Sequence, residues 1–124
     1  MATSTIQSPN MLDISNEFTY ALPDGQHSIT AFYFPSSKVV IASLYVYGAS
    51  AFATSTKMFN IPSTYTPVNS GHTSQGTNQW KCGGSVQTAT GVYPATIVAA
   101  ENGIYQQFSS TATGASGTVM WRTQ

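Results

Sequence analysis

The sequence predicts an all-β fold, an antiparallel β-sandwich of jelly-roll-like kind with about seven or eight short strands. Thr, Tyr, Val, Phe and Ile are abundant, and these side chains suit a pleated, half-buried surface. Helix formers are scarce, with Leu12, Leu22 and Leu44 the only leucines. Turn residues recur between short β-rich runs, and no 3.6-residue apolar period competes with them.

Residues 1–16 mix Ser, Thr, Asn and Pro9 with little periodicity. They are expected to be an N-terminal arm, and 17–124 a single domain. Phe18 to Leu22 alternates as a short strand, and Pro23-Asp24-Gly25 is a turn signal. Ile29 to Phe34 is a second strand with apolar residues on both faces, which predicts burial on both sides or an interface. Pro35 to Lys38 turns the chain into Val39–Tyr47, the strongest strand, closed by Gly48. Another strand is expected over Phe52–Phe59. Residues 60–85 carry Pro62, Pro67, Gly71, Gly76, Gly83 and Gly84 and read as a long loop interrupted by Trp80. Ser85–Ala89 is a candidate strand, and Tyr93–Ala100 follows with Pro94 at an edge. Glu101-Asn102-Gly103 predicts a type I′ hairpin into Ile104–Phe108. Thr118–Arg122 is the last strand.

The chain has 124 residues, 6% of them charged, with no net charge. Nucleic-acid binding needs clustered Lys and Arg, and anionic lipid needs the same, so neither partner is expected. No run approaches the ~20 apolar residues of a membrane helix, so no membrane insertion is expected. The first residues lack the basic and apolar regions of a signal peptide, which predicts synthesis in the cytoplasm. Ser (16) and Thr (17) supply the polarity that charge does not. Hydrophobic content of 41% rules out a disordered chain. Sheet edges without gatekeeping charge need cover, and association of copies supplies it.

Catalytic sets are thin. Asp13, Glu17, Asp24 and Glu101 are the only carboxylates, and three lie in turns or the arm. No Gly-x-Ser-x-Gly elbow occurs, and His27 and His72 are the only histidines. Cys82 stands alone and reads as a small buried side chain. Two His and one Cys with no close spacing make no zinc site, and no phosphate-cradling motif is present. No enzyme activity, metal or cofactor is expected.

Binding through aromatic faces remains. Tyr65, Trp80, Tyr93, Tyr105 and Trp121 could stack on sugar rings, although core packing is the default for each. Trp80 stands out because it sits in a polar stretch near His72, Asn78 and Gln79. Trp80, His72, Tyr65, Asn78 and Gln79 are therefore the candidate saccharide-binding residues.

Three phrases carry a family resemblance: Ile61-Pro62-Ser63-Thr64-Tyr65-Thr66-Pro67, the hairpin from Ile97 to Tyr105, and Gly117-Thr118-Val119-Met120-Trp121-Arg122. Their order after the Lys38–Tyr47 strand resembles the receptor-binding head domains of phage tails and baseplates. The first 37 residues have no counterpart there. The resemblance implies a β-sandwich knob that forms a homotrimer in the virion tail, contacts other tail proteins and attaches to saccharide on the host cell surface. The alternative is a purely structural virion protein, a head decoration or fibre-linking module, without ligand. A free lectin-like or toxin-like β protein would share the composition.

Overall fold

A computed structural model describes residues 10–68 and 79–124. Among the described residues nine strands form one antiparallel sheet: β1 Leu12–Asp13, β2 Thr19–Tyr20, β3 Gln26–Phe34, β4 Val39–Tyr47, β5 Lys57–Asn60, β6 Gln79–Thr88, β7 Gly91–Ala100, β8 Gly103–Gln107 and β9 Gly114–Arg122. Their order across the sheet is β1-β3-β4-β9-β6-β7-β8-β5-β2. The two edge strands, β1 and β2, are neighbours in the chain, joined through a 3-10 turn at Ser15–Glu17. The sheet therefore curls into a half-barrel and wraps its own core.

Alternation decides which face is inside. In β4, Val40, Ala42, Leu44 and Val46 are buried while Ser43, Tyr45 and Tyr47 are exposed. One core cluster takes side chains from both halves of the sheet, including Ala31, Val40, Met58, Phe59, Ile97, Ile104 and Trp121. Trp121 is fully buried, and its indole N–H donates to the Tyr65 carbonyl at 2.7 Å. The Phe18 ring meets it edge-on at 6.2 Å. Burying a side chain of this class contributes roughly 1.5–3 kcal/mol, and the satisfied N–H removes the penalty of a dry donor.

Part of the segment expected as an arm is built onto the sheet. Leu12 and Asp13 pair with Tyr33 and Phe32, and Ile14 is 2% exposed. The apolar cluster Met11 to Ile14 supplies one buried side chain, and the amide of Ile14 donates to the Ala31 carbonyl at 2.9 Å. That is enough to hold the segment on β3.

Other boundaries move for local reasons. The Phe18–Leu22 strand shrinks to two residues, and the Phe52–Phe59 strand reduces to Lys57–Asn60 plus an isolated bridge from Phe52 to Ala112. β9 begins at Gly114 rather than Thr118, and β6 begins at Gln79 within the expected long loop. Gly83 and Gly84, which read as loop punctuation, are pairing residues. Gly84 stands opposite Gly117, and the Ile97 side chain lies over both. A Cβ on Gly84 would come within 2.6 Å of Ile97 Cγ1 and of the Ser116 carbonyl oxygen.

The β7–β8 hairpin forms where expected, but its two loop residues are Glu101 and Asn102. Gly103 already pairs with Ala100. Glu101 has φ 49, and Asn102 is not in the positive-φ region that a type I′ turn would require at both positions. Gly103 is used for space instead, because the Lys57 stem crosses where its Cβ would be.

Candidate functional site

The outer face of the sheet carries an open depression beside two tyrosines. Register places Ser28, Tyr45, Ser116 and Ser85 in one row across β3, β4, β9 and β6. Gln26 and Tyr47 lie in the next row, with Gln87 and Val92 continuing it beyond β9. Tyr45 and Tyr47 are 42% and 46% exposed, with parallel rings 6.3 Å apart. They border an open depression of about 310 Å³ floored by Ser85, Ser116, Gln87 and Val92. No charged side chain lines it.

Hydroxyls run through this face as cross-strand pairs. Ser85 Oγ and Ser116 Oγ are 3.1 Å apart, and Ser43 Oγ and Thr118 Oγ1 are 2.9 Å apart. Each hydroxyl has one donor and two acceptor sites, so one such bond leaves capacity for a ligand hydroxyl. Gly114 stands beside Tyr47 in this row, and a Cβ there would meet the Val46 carbonyl at 2.6 Å. The absence of a side chain at Gly114 keeps the floor low.

The three candidate residues that the structure describes, Trp80, Tyr65 and Gln79, do not converge. Trp80 pairs with Ala99 on the inner face, packs against the core and donates its indole N–H to the Val68 carbonyl at 2.7 Å. Tyr65 is 8% exposed, with its ring 5.0 Å from that of Tyr33. Gln79 lies on the outer face and borders a separate depression of about 280 Å³ with Tyr105, Gln107, Thr54 and Ser55. His72 and Asn78 lie outside the described residues. Of the other aromatics, Trp121 is core, and Tyr93 stacks on Phe108 at 5.7 Å beside a third depression of about 360 Å³.

No family model, curated protein or solved structure matches the chain.

The two aspartates work as turn anchors. Asp24 accepts from the Ser50 hydroxyl at 2.5 Å and the Ser50 amide at 2.8 Å, which holds its pKa below the usual carboxylate value. Asp13 accepts from the Ser15 hydroxyl at 2.6 Å and amide at 3.0 Å, with the same effect. Both are the ionised form a hydrogen-bonded surface acid takes. Among the described residues no group of three or more His, Cys, Asp or Glu gathers to hold a metal. No described helix is long and apolar enough to cross a membrane.

The Tyr45–Tyr47 face was readable in one respect that strand prediction passes over. In Ala42-Ser43-Leu44-Tyr45-Val46-Tyr47, one parity is purely aliphatic and the other is hydroxyl-bearing. Strict alternation of this kind marks a strand with one face in water. Its companions Ser85, Gln87 and Ser116 come from distant segments, and only the register brings them together.

Proposed function

We propose that this chain is a noncatalytic recognition module that holds a neutral saccharide on its Tyr45–Tyr47 face, in the manner of the phage tail and baseplate heads that its phrases resemble. In this role three copies form a knob at the virion tail, and the two halves of each curled sheet act as the layers of a jelly-roll-like sandwich. The knob meets saccharide on the host cell surface.

One observation carries the ligand class: two half-exposed tyrosines flank a depression that presents hydroxyl and amide groups and no charge. Sugar rings offer C–H faces to aromatic rings and hydroxyls to Ser and Gln. A charged ligand would find no counter-charge there. A few placed polar groups beside apolar surface are the usual make-up of a small-molecule site.

The test is a glycan array with the intact protein, followed by competition with phage adsorption to host cells. Binding to neutral glycans that Tyr47→Ala abolishes supports the reading. A folded protein that binds no glycan and does not compete with adsorption would replace it with a purely structural virion role.

A further inference from the structure

The outer face beyond the tyrosines changes character within two rows. Thr30, Ser43 and Thr118 form the last polar row. The next contains Asp13, Phe32, Ile41 and Met120, one residue from each of β1, β3, β4 and β9. The row after it contains Phe34, Val39 and Arg122. Directly paired residues share a face, so these side chains form one patch. Met120 is 47% exposed, and both charged residues are exposed. Lys38 lies in the β3–β4 turn past the end of the patch, not on either flank.

The charges are arranged in a way that selects the partner. Asp13 stands on the β1 flank and Arg122 on the β9 flank, three strand spacings or roughly 14 Å apart. Aliphatic and aromatic side chains fill the space between them. One flank is the electrostatic complement of the other. A second copy turned about an axis along the strands brings the Arg122 flank of one beside the Asp13 flank of the next and apolar centre against apolar centre. The rows are offset by two residues, roughly 6.8 Å, a distance that the long Arg side chain can span.

We propose that this patch is where a second copy of the chain docks, with Asp13 of one copy paired to Arg122 of its neighbour. The proposal gives a location to the self-association in the preceding reading and does not depend on the saccharide.

Sedimentation velocity across the micromolar range tests it. The wild type should sediment as an oligomer. Arg122→Glu should weaken association by about tenfold or more, as loss of a paired interfacial charge does. Combining it with Asp13→Lys should restore association to within about threefold, because the swapped charges again attract. Asp13 also anchors Ser15, so Asp13→Lys carries a folding risk. Met120→Lys, at the patch centre and exposed in the single chain, should dissociate the oligomer with an unchanged circular dichroism spectrum. A wild-type monomer would assign the patch to a different protein and end the proposal. An oligomer indifferent to both Arg122→Glu and Met120→Lys would end it too. Glycan binding measured on the dissociated variants separates the two readings: retained binding with lost association means that the site and the interface are independent.

Discussion

The rings of Tyr20 and His27 lie face to face, 3.8 Å apart and within 10° of parallel. Tyr20 belongs to one edge strand of the sheet, and His27 to the strand beside the other edge. Phe59 meets both edge-on, at 5.5 and 6.1 Å. The phenol hydroxyl donates to the Asp24 carbonyl at 2.5 Å, and the Asp24 carboxylate in turn holds Ser50. The stack latches the curled sheet where backbone pairing stops.

Removing either ring should loosen that latch. Tyr20→Ala and His27→Ala should each destabilise the fold, and a double-mutant cycle should return a coupling of about 0.5–1.5 kcal/mol. Urea unfolding of the four proteins measures it. Strictly additive effects would mean that the rings stack without contributing.

Gly84→Ala should cost about 1–3 kcal/mol, because the new methyl group collides with backbone as well as with Ile97. The Ser116 carbonyl cannot turn away without breaking the β6–β9 ladder. Gly83→Ala, one residue earlier with open space at its Cβ, is the control and should be close to neutral. Thermal melts of the pair distinguish lack of space from a general cost of replacing glycine in a strand.

Stability should be flat across neutral pH and fall at both extremes. Ser50 and Ser15 hold the Asp24 and Asp13 carboxyls below the ordinary value of 3.8. The folded state therefore binds their protons less tightly than the unfolded chain does. Their contribution is present above the unfolded pKa and is lost as pH falls through the lower folded values. Burial raises the Tyr20 phenol above 10.0, with the Asp24 charge adding to it, and burial raises Tyr65 with help from Glu17 and Tyr33. Their contribution is present below the unfolded pKa and is lost as pH rises through the folded ones. Asp24→Asn should flatten the acid limb and, by removing the charge that adds to the Tyr20 shift, slightly flatten the alkaline limb as well in a pH series of urea melts.

Gln106 is fully buried, and among the described residues neither its amide oxygen nor its amide nitrogen has a partner. A dry, unpaired amide costs about 1–3 kcal/mol. Gln106→Leu, which keeps similar volume and removes the polar atoms, should raise the melting temperature. A fall in melting temperature would mean that the amide is satisfied by a buried water.

Tyr47→Ala should remove glycan binding without changing stability, since nearly half of the side chain is already in water. Chemical-shift titration with the best array ligand reads the binding, and the thermal melt reads the fold. Equal losses in both would make the tyrosine a structural residue.

The all-β class was legible because β-rich composition and turn residues act locally; the closure into one curled sheet rather than a sandwich was not. β3, β4 and the β7–β8 hairpin stand where their residues predict, since alternation and a two-residue turn need no distant information. The start of β6 was hidden because Gly83 and Gly84 resemble loop residues until the Ile97 side chain is seen to require Gly84. The part of the arm segment built into β1 was hidden because a two-residue strand has no period. Of the Trp80 cluster, Tyr65 is buried and Trp80 packs half-buried against the core, because indole and phenol groups satisfy both core and site patterns. Tyr45 and Tyr47 acquire a ligand-sized neighbourhood only through the register of β4, β9 and β6, which no single segment encodes.

The ninth strand lies in the middle of the sheet, between β4 and β6. A chain emerging from the ribosome can form the β3–β4 and β7–β8 hairpins early, but β4 and β6 have no bond to each other until β9 slides between them. Pairings that span so much sequence are slow and leave apolar strands uncovered in the meantime. Synthesis should therefore yield two unjoined halves that are open to misassociation until Trp121 arrives, and any stop codon before Gly114 should produce an insoluble product rather than a smaller domain.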